Sequence, residues 1–192
     1  MDFSPSGGHE PDSTGVVSSV DGRRIDRRWI YFVLLVGMIV VDQLIKLWTR
    51  SSLNVHQSPG FPWPGVFELT YSRNEGIAFG LMQGRGNLFT PIAILIALGA
   101  GFYSWRHPKE SVWVHVSMGL LASGALGNLY DRLRFGFVTD MFWFKAINFP
   151  VFNWADSCIT VATVILIVVW TKDAFPSRTK QTAPTPATVD KP

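Results

Sequence analysis

Four long apolar stretches constrain this chain more than any other feature. They cover residues 29–48, 88–105, 112–130 and 152–171. A helix rises about 1.5 Å per residue and the hydrocarbon core of a bilayer is about 30 Å thick, so roughly 20 apolar residues make one crossing. Lipid offers the backbone no hydrogen-bond partner, and a helix satisfies its own. The stretches are too long for barrel strands and too few to close a barrel. The first has a basic flank, as a secretory signal does. It is long for such a signal, and Asp42, Gln43 and Lys46 stand where a small-residue cleavage site would be. It is therefore expected to be retained. The expected fold is an all-α transmembrane core of four helices, with a small extracytoplasmic β-containing cap and a short surface-lying segment.

Composition agrees. Charged residues make up 16% of the chain, against about 25% in a soluble domain. Cys158 is the single cysteine. An intramolecular disulfide and a cysteine-based metal cage are both excluded, and Cys158 reads as a packing residue. The basic residues form no stripe for nucleic acid; their distribution reads as topology. Arg23, Arg24, Arg27 and Arg28 precede the first span, Arg106 and Lys109 lie between the second and third, and Lys172, Arg178 and Lys180 follow the fourth. The opposite side carries sparser charges in longer loops: Arg50, Arg73, Arg85, Arg132, Arg134 and Lys145. By the positive-inside bias both termini are cytoplasmic. Trp29, Trp48, Trp105, Trp113 and Trp170 fit interfacial belts.

Residues 1–22 and 173–192 are polar, rich in small residues and proline, and are expected to be disordered cytoplasmic tails around a membrane domain of residues 23–172. The outer cap is expected over about 50–87. Its PGFPWPG stretch resists helix, residues 66–71 suit a short strand, Asn74, Glu75 and Gly76 suit a turn, and IAFGLM suits a segment lying on the membrane. The second outer loop, 132–151, carries FVTDMFWFKAINFP. That much apolar surface belongs against lipid, the cap or a lipophilic substrate.

Ionisable residues at membrane depth cost several kcal/mol, so each needs a reason. Asp42 and Lys46 are four apart and share a helix face, as a neutralising pair or a site support. Asn128 and Arg132 are also four apart, with Asp131 beside them on another face. Gly119, Gly124 and Gly127 make that helix thin. Asn153 and Asp156 are three apart on one face, and no lysine or arginine is near Asp156 in sequence. Asp140 lies on the same side, between aromatic residues. The acids converge at one depth. His115 and Ser117 come without a GxSxG elbow, and neither HExxH nor GxxxxGK[ST] is present. Paired carboxylates sharing a proton remain the best chemical option, which is peptide hydrolysis of the aspartic type. The rival reading is a small non-enzymatic transporter or scaffold using Asp42, Lys46 and Asp156 as a buried ion network; no internal repeat supports transport.

Four blocks in order, VVDQLIK, FELTYSRNEGIAFG, GALGNLYDRLRFGFVTDMF and FPVFNWADS, resemble the lipoprotein signal peptidases (signal peptidase II) over about residues 29–171. The resemblance implies an aspartic endopeptidase of the bacterial cytoplasmic (inner) membrane, with its active site near the outer leaflet. Its substrates would be prolipoproteins carrying a diacylglyceryl-modified cysteine, cut just before that cysteine. It maps the catalytic pair to Asp140 and Asp156. It maps supporting or substrate-positioning residues to Asp42, Lys46, Asn74, Asn128, Arg132 and Asn153, with Asp131 and Gly127 structural beside them. No cofactor and no metal are implied. The implied partners are substrate and membrane lipid, with no nucleic acid, and a monomer suffices. Thr139 stands where the family often has a more apolar residue.

Overall fold

The computed structural model describes residues 25–76 and 90–174. Four helices appear: α1 (Arg28–Ser52), α2 (Thr90–Arg106), α3 (Val112–Phe135) and α4 (Trp154–Ala174). Among the described residues, α1, α3 and α4 are long and apolar enough to cross a membrane. The described part of α2 has 17 residues. The expected surface-lying IAFGLM piece and nearly all of both tails fall outside the described residues. α4 continues three residues past the expected span, to Ala174.

α3 is the central helix. It packs against α1, α2 and α4, and 67% of its apolar window is buried, against 17% for α1 and 22% for α4. Small residues make this possible. A Cβ added at Gly119 would stand 2.9 Å from Leu34 Cβ; at Gly127 it would stand 2.6 Å from an Asp42 carboxylate oxygen. At Gly124 it would meet the Ala155 carbonyl oxygen at 2.5 Å, closer than real Cβ contacts allow. Gly124→Ala must push α3 from α4, and overpacking of this kind costs about 1–3 kcal/mol. We expect a lowered unfolding midpoint in detergent, together with weakened activity, because α4 carries Asp156. Parental stability in a thermal unfolding assay would contradict this.

The helices extend beyond the hydropathy windows for identifiable reasons. α3 passes Tyr130 and includes Asp131, Arg132 and Arg134, because Asp131 finds cations on α1. It stops where Gly136 adopts φ +80° and its N–H returns to the Arg132 carbonyl at 3.0 Å, the left-handed ending that glycine permits. At the other end, the Arg27 N–H donates to the Pro108 carbonyl at 3.0 Å and its guanidinium to the Glu110 carbonyl at 3.0 Å. The start of α1 is thereby tied to the α2–α3 connection.

A small antiparallel sheet covers the end of the bundle, with strand order β1 (Pro62–Trp63), β2 (Phe67–Asn74), β3 (Val138–Trp143). The strand expected at 66–71 is present as β2. β3, inside the aromatic second loop, was not foreseen. Ser72 pairs with Asp140, Arg73 with Thr139 and Asn74 with Val138. Phe142 also bridges to Phe152, just before α4. Phe67, Phe142, Phe144, Phe149 and Phe152 form one aromatic cluster, with neighbouring ring centroids 4.9–6.5 Å apart. Beside it, Glu68 is buried. It accepts from Ser58, from the Gly65 N–H at 2.7 Å and from Lys145 at 3.0 Å, and these donors lower its pKa from 4.5 to about 2. Its stabilising contribution is therefore complete above pH 4.5 and is lost as pH falls through about 2.

Candidate active site

Asp140 is placed by strand geometry. Residues two apart in a strand share a face, and diagonal cross-strand neighbours come within side-chain reach. Asn74 stands diagonally across from Asp140, and its Nδ2 donates to Asp140 Oδ2 at 3.0 Å. The other end of the same amide accepts the Gly76 N–H at 3.1 Å, so the expected Asn74–Gly76 turn fixes which way Asn74 points. Asp140 is 2% exposed. Burial, and then the nearby Asp156 charge, raise its pKa from 3.8 to about 7.

Asp156 is placed by a helix start. Asn153 precedes α4, and its Oδ1 accepts the Asp156 N–H at 3.0 Å. The Asp156 carboxylate answers by accepting the Asn153 N–H at 3.1 Å. This is a reciprocal capping box, with residues three apart satisfying two of the four orphan N–H groups of the first turn. A third, of Ala155, donates to Asp42 Oδ1 at 3.0 Å. The Phe142–Phe152 bridge places this helix start beside β3.

Two amides join the carboxylates. Asn153 Nδ2 donates to Asp140 Oδ1 at 2.7 Å and to Asn128 Oδ1 at 3.1 Å. Asn128 Nδ2 donates to Asp156 Oδ1 at 2.8 Å. Lys46, wholly buried, donates to Asn128 Oδ1 at 3.0 Å. The ammonium also meets Asp42 at 2.9 Å and Asp131 at 3.4 Å. Lys46 therefore bridges the two acids, offsetting part of their charge, and fixes the orientation of an amide that holds Asp156.

Asp131 is turned away from the carboxylate pair, as its position beside Arg132 on another face suggested. It accepts the Thr139 N–H at 2.9 Å and lies 3.7 Å from Arg50. Arg50 also donates to the Thr139 hydroxyl at 3.0 Å. Thr139, the departure from the family pattern, thus has a hydrogen-bond partner. Gly127 faces Asp42 with no room for a side chain. Sequence patterning did not single out Arg50, Gln43 or Glu68 as participants. Gln43 donates to Asp42 at 3.0 Å, and its place beside Asp42 was the available signal.

Asp140, Asp156, Asn74, Asn128 and Arg132 line one cleft of roughly 1220 Å³. Its apolar lining comes from Ile92 and Ile96 of α2, Ala125 of α3, Ile159 and Val161 of α4, and Phe144, Phe149 and Phe152. Arg132 Nε is buried without a partner among the described residues. The cleft combines an apolar trough with two carboxylates, amide donors and a guanidinium. That arrangement can hold an apolar helix and polarise a carbonyl beside it.

A membrane-embedded enzyme is the class that this fold and site define, and solved structures agree. The chain is similar to a bacterial membrane enzyme determined by the in meso method at 2.3 Å, with a TM-score of 0.72 and 27% identity, covering 80% of this chain and 94% of that one. A second such structure, at 1.9 Å, gives 0.67 and 28%, covering 74% and 93%. Residues 34–172 match the family described as signal peptidase (SPase) II. The lipoprotein signal peptidase of Streptococcus agalactiae serotype Ia is 38% identical over 77% of this chain and 96% of its own length. That of Lactiplantibacillus plantarum is 38% identical over 77% and 98%. The chain belongs to the signal peptidase II family.

Proposed function

We propose that this chain is a membrane aspartic endopeptidase that removes the signal peptide from diacylglyceryl-modified prolipoproteins, cutting just before the lipidated cysteine. The observation that carries this reading is the convergence of Asp140 and Asp156 on one cleft, joined through Asn153. Two neighbouring carboxylates disfavour double ionisation and share a proton; burial favours that proton on Asp140. The ionised member takes a proton from water as the water oxygen bonds to the scissile carbonyl carbon. The protonated member donates to the carbonyl oxygen. Collapse of the tetrahedral intermediate breaks the C–N bond, and the leaving amine takes up a proton. Asn74, Asn128 and Asn153 hold the carboxylates; Asp42, Lys46 and Asp131 hold the amides and β3.

In this reading four helices cross the cytoplasmic membrane, with both termini inside, and the sheet caps the outer face. Residues 23–172 form the peptidase domain and the polar tails stand apart from it. The protein acts as a monomer. Family membership disfavours the transporter or scaffold alternative: its ion network exists around Lys46, but it serves here to brace the cleft. Purified protein should cleave a diacylglyceryl-modified precursor and leave the unlipidated precursor intact. A folded preparation that processes neither would overturn the proposal.

Two further outcomes are expected. Turnover should fall as pH rises through about 7, because Asp140 then loses the shared proton. That proton is bound only by the folded state between the ordinary 3.8 and about 7. The stability it contributes is therefore complete below pH 3.8 and lost as pH rises through about 7. A pH–rate profile flat from pH 6 to 9 would refute this. Second, Arg132→Lys keeps the charge but loses the planar fork and its Nε donor. It should fold and cleave at least about tenfold more slowly, the cost of one strong charged hydrogen bond; near-parental turnover would count against a role for Arg132 in holding substrate.

A further inference from the structure

A second concavity lies on the other side of α2 from the cleft. It is a groove of roughly 490 Å³ between α1 and α2, lined by Tyr31, Ala97, Leu98, Gly101, Phe102 and Trp105, with Ile94 and Leu126 at its far end. Tyr31 is 6% exposed, yet among the described residues no group hydrogen-bonds its hydroxyl. That hydroxyl faces Gly101: a Cβ built there would stand 3.0 Å from it. The ring is buried while its donor opens onto an apolar groove, where a lipid environment supplies no water to pair it; such a donor points to a ligand with an acceptor.

The charge at the same end narrows the ligand. The guanidinium of Arg28 lies 4.6 Å over the Trp105 ring. Arg27, Arg106 and Lys109 belong to the same end of the bundle, against the acids Asp26 and Glu110. Asp26 holds Arg28 in an ion pair at 2.5 Å, and over residues 25–29 and 105–111 the balance stays basic, four cations to two anions. Arg28 precedes Tyr31 by three residues, about 4.5 Å along the helix. From Trp105 to Ile94 the groove runs about 16 Å, half of a hydrocarbon core of about 30 Å. These are the proportions of a lipid in one leaflet: anionic headgroup at the arginines, ester carbonyl at the Tyr31 hydroxyl, acyl chain along Leu98 and Ile94.

We propose that the α1–α2 groove is a binding site for one anionic glycerophospholipid of the leaflet that the arginines face, separate from the cleft. A signal peptide fits poorly here, because its charged end is itself basic and lies on the same side. The leaflet named rests on the orientation proposed above, but binding does not, since a bilayer with two identical leaflets presents the lipid to either end.

The test is native mass spectrometry of the purified full chain released from nanodiscs of phosphatidylglycerol and phosphatidylcholine in equal amounts. One retained phosphatidylglycerol, at least about fivefold over phosphatidylcholine, is expected. Tyr31→Phe should reduce retention about fivefold, the worth of one hydrogen bond, while leaving cleavage of lipidated precursor unchanged. Arg27→Gln combined with Arg28→Gln should erase the headgroup preference. Gly101→Leu should fill the groove and abolish retention. No preference between the two lipids would overturn the proposal. So would parental retention by folded Tyr31→Phe, or displacement of the lipid by a synthetic signal peptide. Precursor cleavage, measured in parallel, reports on the peptidase reading by itself.

Discussion

Asp140→Asn and Asp156→Asn should each abolish cleavage of a lipidated precursor, by about a thousandfold or more. Asparagine nearly keeps the size of aspartate but cannot take a proton from water or pass one on. The double variant should be little worse than either single one, since groups acting as a unit are not additive. Position 140 carries an extra cost. Both oxygens of Asp140 accept, one from Asn153 and one from Asn74, whereas asparagine has a single acceptor and would set an NH2 against another NH2. Asp140→Asn is therefore expected to lower the unfolding midpoint, and Asp156→Asn to lower it less, because Asp156 is only partly buried whereas Asp140 is 2% exposed. Asp131→Asn is the comparison. It loosens the start of β3 and weakens the contact with Lys46, yet should keep detectable turnover when folded. The measurement is single-turnover cleavage in detergent alongside thermal unfolding of all four proteins. Substantial turnover by either folded dyad variant would move catalysis elsewhere, and a dead but folded Asp131→Asn beside active dyad variants would move it to Asp131.

Lys46→Met should be the most destabilising single change in the bundle. The ammonium is the buried cation between Asp42 and Asp131, both of which have almost no exposure. Removing one member of a buried charge cluster leaves the others uncompensated, at a cost of about 3–5 kcal/mol. Methionine fills the volume, so the loss reports charge rather than a cavity. Adding Asp42→Asn should recover part of the stability by removing one stranded charge, though the Ala155 N–H then keeps only a neutral acceptor. Unfolding in a denaturing detergent titration reads both. A Lys46→Met protein as stable as the parent, or a double variant less stable than the single one, would contradict the charge account. Activity should fall in both, because Asn128 loses the donor that orients it towards Asp156.

What the sequence made legible was local. Spacings of three and four residues placed Asp42 with Lys46 and Asn153 with Asp156, and the structure realises both, one as an ion pair and one as a capping box. Hydropathy placed the helices but ended them early. α3 runs on through Asp131 and Arg132 because its charges are matched by α1, and no window over one segment can register a partner about 80 residues away. β3 was hidden for a related reason. VTDMFW has the β-branched and aromatic content of a strand, but its aromatic density read as contact with lipid or substrate. The contacts that fix its neighbourhood, Arg50 to Thr139 and Glu68 to Lys145, span 89 and 77 residues. The convergence of the acids followed from topology; their coupling through two asparagines could come only from three dimensions.

The cleft is walled by α2 on one side and α4 on the other, with α3 behind it. In the orientation proposed above, a trough built this way faces sideways into the bilayer. In the function proposed here, a precursor arrives by diffusing in the plane of the membrane, without leaving lipid. Encounter is then a two-dimensional process, and the quantity that saturates the enzyme is the number of precursors per unit of membrane area. Adding inert lipid at constant protein and precursor should slow processing as dilution does in solution, while changing the aqueous volume should leave it untouched.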